Sequence, residues 1–347
     1  MSNEFVRPIP EKEAAPARRI RLFSSNRQAL WTILALVAIL IINGLISPNF
    51  FSIRVVEGRL LGSLIDILNR SAPVMLLSIG MTLVIATRGV DLSVGAVIAI
   101  CGAVAAVLIA DQPPWVAISL SLVAGVLCGL WNGVLVAFLG IQPIIATLIL
   151  MVVGRGIAQM ITGGQIAIFN DPTLSFIGTG TLFGLPFPIY ISLAAFIVVY
   201  LLVRRTALGL FIESVGANDR ASYYAGVNAS LIKVLVYIIS GLCAAVAGLI
   251  LTAYIKGADS NNAGLWSELD AILAVVIGGT SLAGGRFYLG MSVVGALIIQ
   301  SIYTGILVSG LPPEFNLIVK AVVIMLILLL QSTEFRQFVT KPFRAKA

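Results

Sequence analysis

No histidine occurs in the 347 residues, which removes the commonest general base and the commonest transition-metal ligand. Cysteine is nearly as scarce. Cys101, Cys128 and Cys243 each lie inside an apolar run, with no CxxC or Cys/His spacing that would suggest a disulfide framework or a zinc site. Charge is thin as well: Asp, Glu, Lys and Arg make up 11% of the chain, against roughly a quarter in soluble domains. No lysine follows a glycine, so the phosphate loop of nucleotide hydrolases, which needs that lysine to reach the terminal phosphates, is missing. The Ser/His and His/Glu arrangements of membrane hydrolases are missing too. The chain cannot hydrolyse ATP through a phosphate loop, so if it pumps, the energy must come from another subunit or from an ion gradient. No metal or cofactor is expected.

What is present is apolar. Hydrophobic residues are 59% of the chain and the mean hydropathy is +1.06, which places it among all-α polytopic membrane proteins. Apolar segments fall near residues 29–47, 64–87, 92–110, 116–139, 141–162, 188–204, 232–255, 269–283, 288–309 and 315–331. Read as helices, they predict about ten spans. The 269–283 segment is short, and the joints around 88–91 and 140 leave little room for loops, so some spans are expected to be broken or re-entrant. Such backbone is tolerated only where it is buried in protein or lines a water-filled path.

The excess of basic over acidic residues, 22 against 15 for a net charge of +7, reads as topology rather than as a nucleic-acid surface. Basic residues gather in the N-terminal tail 1–28, in the central stretch 205–231 with its flanks Arg204, Arg205 and Lys233, and in the tail 332–347. The alternate connectors carry the acids Glu57, Asp111, Asp171, Asp259, Glu268 and Glu314. This predicts a multi-pass protein of the inner (plasma) membrane with both termini in the cytoplasm and the transmembrane body at 29–331. The longest external connector, Gly163 to Phe187, reads either as a surface loop or as a docking site for an external partner.

Within the central stretch, Asn218 can cap a short helix from Asp219 to Ala225 that stops at Gly226 in the left-handed conformation. So short a helix is marginal alone in water. It fits either an ordinary connector or an element that packs against a soluble partner.

Polar residues inside spans are costly unless paired or wet. Asp66, Asn69 and Arg70 share one helical face. Gln300, Tyr303 and Thr304 repeat that spacing, Asn132 lies on the fourth segment, and Arg155 and Gln159 share a face of the fifth. Amides and hydroxyls with few ions suit a neutral polyhydroxylated solute, so these residues are candidates for a substrate path. Each one singly also fits an interhelical hydrogen bond. Gly125, Gly129 and Gly133, and the nearly matching Gly241, Ala245 and Gly248, read as close helix contacts.

Three motifs carry a resemblance. The run TLVIATRGVDLSVG from Thr82 to Gly95, QPIIAT from Gln142 with GRG at Gly154 and TGG at Thr162, and GGTSLAGGR from Gly278 to Arg286 resemble the signatures of ribose-type sugar permeases of ABC importers. GSLIDILNR from Gly62 and GADSNNAGLWSELD from Gly257 are similar to the galactofuranose branch of that family. The resemblance implies a type II importer fold: a dimer of permeases around one path in the lipid bilayer, with a related second permease as the partner here. It also implies separate ABC ATPase subunits below and a periplasmic sugar-binding protein above. Arg88, Asp91 and Ser93 then belong to the family's motif turn, where relatives usually carry glycine in place of Arg88, and the arginine could pair with Asp91 or anchor the membrane edge. Gly216, Asn218, Arg220, Tyr223, Ala225 and Gly226 would couple the chain to the ATPase, although they match the family pattern loosely. A self-sufficient ion-coupled sugar carrier is the alternative.

Overall fold

The computed structural model describes residues 22–310, 312 and 315–331. The tail 332–347, most of the tail 1–28 and Glu314 lie outside this set. The chain opens with α1 (Leu22–Ile46), then a hairpin of β1 (Arg54–Val56) and β2 (Arg59–Leu61). The sequence reading did not anticipate that hairpin. Its turn residues Glu57 and Gly58 both have positive φ, 51° and 76°, the handedness that matches the twist of a two-residue hairpin. Next come α2 (Ser63–Ala86), α3 (Val94–Leu108), α4 (Pro114–Ala137) and α5 (Pro143–Thr162). Proline at the first positions of α4 and α5 starts each helix where its missing N–H costs nothing.

The connector from Gly163 to Phe187 is more ordered than a surface loop. It holds β3 (Ala167–Ile168), α6 (Pro172–Thr179), β4 (Thr181–Leu182) and β5 (Leu185–Pro186). Asp171 caps α6 by accepting from the Leu174 N–H at 2.7 Å. The chain continues with α7 (Phe187–Arg205), α8 (Leu208–Ala217), α9 (Asp219–Tyr224) and α10 (Ala229–Ile255). It ends with β6 (Gly257–Ala258), which pairs antiparallel with β3, then α11 (Ser267–Ile277), α12 (Leu289–Val308) and α13 (Phe315–Gln331). On α6, a Cβ at Gly178 would stand 2.6 Å from the Ala253 carbonyl carbon, so the connector is packed directly on the end of α10.

Each of the expected apolar segments contains a helix. Seven of them, α1, α2, α4, α5, α7, α10 and α12, are long and apolar enough to cross a membrane. The others are shorter: 15 residues in α3, 11 in α11 and 17 in α13. At 1.5 Å per residue α3 reaches only about 22 Å and α11 about 16 Å, short of a bilayer core of about 30 Å. The segment expected over 269–283 therefore breaks at Ile277. Gly279 follows with φ 88°, and residues 278–288 form an irregular loop with its own tertiary bonds.

α2 and α10 are the interior pair, while α1, α5 and α7 turn apolar side chains such as Leu45, Val152 and Val198 outward. The glycine line on α4 allows close approach to α10, as its spacing predicts. A Cβ at Gly133 would stand 2.8 Å from Val234 Cα, and one at Gly129 would collide with the Tyr237 carbonyl.

Candidate functional site

α2 has a proline inside it, Pro73. Proline has no N–H, so the helical bond that would reach the carbonyl of Asn69, four residues back, is missing. At the same place Asn69 and Pro73 line a cavity of about 190 Å³, closed by Pro188 of α7, Ile250 and Tyr254 of α10, and Gln300 and Tyr303 of α12. Arg70 lines it as well. The Asn69 Oδ1 and Gln300 Nε2 atoms are buried and have no protein partner among the described residues. One is an acceptor and the other a donor. Thr304, one helical turn beyond Gln300, has a hydroxyl in the same condition. Leaving such groups unmet costs about 1–3 kcal/mol each, and a solute rich in hydroxyls can both donate to the one amide and accept from the other. Tyr254 and Tyr303 add aromatic faces with polar tips to the wall.

The other candidate path residues lie elsewhere. Asp66 is exposed, in the first turn of α2. Arg155 donates from Nη1 to the carbonyls of Ala263 (2.6 Å) and Ser260 (3.2 Å), and Gln159 donates to Asn261 Oδ1 at 2.8 Å. These two residues of α5 therefore bind the loop before α11. In that loop Asp259 accepts from the Asn262 side chain at 2.8 Å and from the backbone N–H groups of Asn261 and Asn262. The bond from Asn262 is the main cause that holds its carboxyl below the usual carboxylate range. Asn132 is buried away from the cavity. Its Nδ2 donates to Ser93 Oγ at 2.8 Å, Ser93 Oγ donates to Asp91 Oδ1 at 2.6 Å, and Ser240 Oγ donates to Asp91 Oδ2 at 2.9 Å. This cluster ties the turn after α2 to α4 and α10.

Arg88 does not pair with Asp91. It sits in the same turn with φ 64°, a conformation that glycine adopts freely and arginine does not. Its Nε donates to the carbonyl of Ala283 at 3.0 Å and its Nη2 to the carbonyl of Ala217 at 2.7 Å. Gly285 N–H donates to the Ala86 carbonyl at 2.9 Å. A Cβ at Gly216 would collide with that same carbonyl. Three stretches far apart in sequence, the motif turn, the end of α8 and the glycine-rich loop, thus meet at the C-terminus of α2.

α9 follows at once. Asn218 Oδ1 accepts from the Ala221 N–H at 3.0 Å, which is the cap its position predicts. Gly226 has φ 84°, the expected left-handed stop. The helix ends at Tyr224, one residue earlier than expected, with Ala225 beyond it. Asp219 pairs with Lys233 of α10 at 2.6 Å. Arg220 is exposed. Tyr223 and Tyr224 are 71% and 87% exposed, and their rings meet edge to face at 6.0 Å.

Sequence reading missed Tyr254 and Pro188 as cavity walls. Pro73 was a legible signal, because a proline inside a long apolar helix marks a place where a backbone carbonyl is freed.

Comparison with known proteins places the chain among membrane permeases. The chain is 58% identical over 321 residues to the galactofuranose transporter permease protein YtfT of Escherichia coli (strain K12), covering 92% of this chain and 93% of the relative. It is 40% identical to the fructose import permease protein FruF of Bifidobacterium longum (strain NCC 2705), covering 94% of this chain and 93% of that one. It is 37% identical to the ribose import permease protein RbsC of Escherichia coli (strain K12), covering 87% and 92%. No solved structure matches the chain. The family model described as the permease component of the branched-chain amino acid transport system matches residues 63–328, nearly the whole helical body with both ends of α2, and the chain belongs to that family of membrane permeases.

Proposed function

We propose that this chain is the membrane-spanning permease of an ATP-driven, binding-protein-dependent sugar importer, and that its substrate is galactofuranose or a related monosaccharide. The observation that carries the reading is the cavity between α2, α7, α10 and α12, whose wall holds Asn69 and Gln300, with Oδ1 and Nε2 atoms that lack partners among the described residues, two tyrosines and a single charged residue, Arg70. An unpaired donor beside an unpaired acceptor suits a neutral polyol. The sugar-permease relatives support the same substrate class and weigh against a self-sufficient ion-coupled carrier.

The protein sits in the bacterial inner membrane with both termini in the cytoplasm. This orientation rests on the positive-inside bias of the sequence. The N-terminal end of α2 and its cavity then lie toward the periplasm and the binding protein. The C-terminal end of α2, with α8 and α9, lies toward the ATPase. A related second permease completes the path. Arg220, Tyr223 and Tyr224 are the surface that α9 offers to the ATPase.

The test is uptake by the assembled importer in proteoliposomes. Asn69→Ala and Gln300→Ala should each raise the sugar concentration needed for half-maximal uptake about tenfold, the equivalent of one or two hydrogen bonds, with protein yield unchanged. An unchanged concentration dependence in both variants would remove this cavity from the sugar's route.

A further inference from the structure

A second cavity, of about 340 Å³, lies at the opposite end of α2, and the import reading makes no use of it. Its walls come from the turn after α2 at Thr87 and Arg88, the α4 to α5 joint at Gln142, α8 at Val215, the start of α9 at Asp219, and α10 at Lys233 and Tyr237. Tyr237 is fully buried, and its hydroxyl has no protein partner among the described residues. Gly89 leaves the room for that hydroxyl, since a Cβ there would stand 2.7 Å from Tyr237 Oη. A buried hydroxyl with no partner is destabilising, so a cavity that presents one favours a ligand able to meet it.

The rest of the lining sets the ligand's chemistry. Lys233 and Asp219 satisfy each other at 2.6 Å, and Arg88 already gives two N–H groups to backbone carbonyls. The lining therefore keeps one net positive charge, on a guanidinium whose donors are already partly engaged. Thr87 Oγ1 gives its proton to the Val84 carbonyl at 2.9 Å, which leaves that oxygen as an acceptor. The Gln142 amide can both donate and accept. Hydroxyl and amide groups beside an ion pair and one partly engaged guanidinium match a molecule with several hydroxyls, which can donate to the acceptors and accept from the donors.

We propose that this cavity binds a neutral monosaccharide from the cytoplasmic side and that its occupancy slows import. The inference rests on the importer reading for its sidedness and its sugar. The ligand would bridge the α2 turn, α9 and α10, and so favour one spacing of elements that must shift when the ATPase closes. A ligand that binds one arrangement better than another moves the population toward it.

The experiment uses the assembled importer in proteoliposomes with ATP inside, loaded with D-galactose or with equimolar glycine as the control. With wild-type protein, internal D-galactose should lower the initial uptake rate about twofold when half the sites are filled, and glycine should not. Tyr237→Phe and Gln142→Leu together should abolish this inhibition while uptake into sugar-free vesicles keeps the wild-type rate. Gln142→Leu alone should weaken the inhibition, which keeps the test decisive if the double variant assembles poorly. The proposal is overturned if internal D-galactose has no effect on the wild type, if glycine inhibits equally, or if the variants are inhibited as strongly as the wild type. Those outcomes leave the importer reading standing. Absence of uptake by any vesicle would sink the importer reading itself and this inference with it.

Discussion

The Arg88 guanidinium donates from Nη2 to the carbonyl of Ala217 at 2.7 Å, and so joins the turn that ends α2 to the last residue of α8. A cation at the C-terminus of a helix is favoured by the dipole and by the carbonyls left free there. α2 has 24 residues and so spans about 36 Å. It carries this contact at one end and the Asn69 cavity at the other. In the proposed importer, α2 is the element that would carry a displacement of α8 and α9 to the cavity.

Replacing Arg88 by glycine should relieve the positive-φ strain while removing both bonds to Ala217 and Ala283. Each bond is worth about 1 kcal/mol net, so folding should be little changed. Transmission should suffer instead, with more ATP hydrolysed per sugar taken up. Arg88→Lys should behave similarly, because one ammonium cannot reproduce the planar fork that reaches two carbonyls. Parallel measurement of ATP hydrolysis and uptake by the reconstituted importer decides this; an unchanged ratio in both variants would make Arg88 a membrane-edge anchor.

Gly216→Ala is the stronger perturbation. Its Cβ would collide with the Ala86 carbonyl and stand 2.6 Å from the Gly285 nitrogen. Both neighbours are backbone, so the helices must separate. Uptake should fall at least tenfold, together with a lower melting temperature of the purified permease. Near-normal uptake at normal stability would mean that α8 and α2 move apart freely.

At Gly226 the space around an added Cβ is open, and only the φ of 84° opposes a side chain. Gly226→Val should therefore be much worse than Gly226→Asn, because asparagine tolerates the left-handed region and a β-branched residue does not. Asn218→Ala should remove the cap bond to Ala221, about 1 kcal/mol. Stimulated ATP hydrolysis and uptake should fall together in Gly226→Val and Asn218→Ala while protein level holds. If both keep full stimulation, α9 is a connector and nothing more.

The loop held by Asp259 should loosen in acid. Its carboxyl is held below its ordinary range in the folded chain, so its contribution is present above the unfolded pKa and is lost as pH falls through the lower, folded value. A cysteine at Asn261 should react faster with a polar thiol reagent as the pH of a brief pre-incubation drops below about 4. Asp259→Asn should show the faster rate at every pH. A pH-independent rate with Asp259 intact would mean that the loop is held by Arg155, since the cysteine itself removes the Asn261 oxygen to which Gln159 donates.

The sequence by itself determined the membrane class, the position of nearly every helix and the shape of α9. Those properties follow from local rules: runs of apolar residues, prolines at helix starts, Asn218 as a cap and Gly226 as a left-handed stop. Tertiary structure decided which polar residues share a site. Asn69 and Gln300 are more than two hundred positions apart and look like any other amides in spans until α2 and α12 pack together. Asn132, equally conspicuous in the sequence, lies away from the cavity: its Nδ2 donates to Ser93, and its buried Oδ1 has no partner among the described residues. Nor could spacing indicate that Arg88 reaches past the nearby Asp91 to the carbonyls of Ala217 and Ala283. Those acceptors are backbone atoms with no signature in the side-chain alphabet, and only the crossing of α2, α8 and the glycine-rich loop brings them within reach.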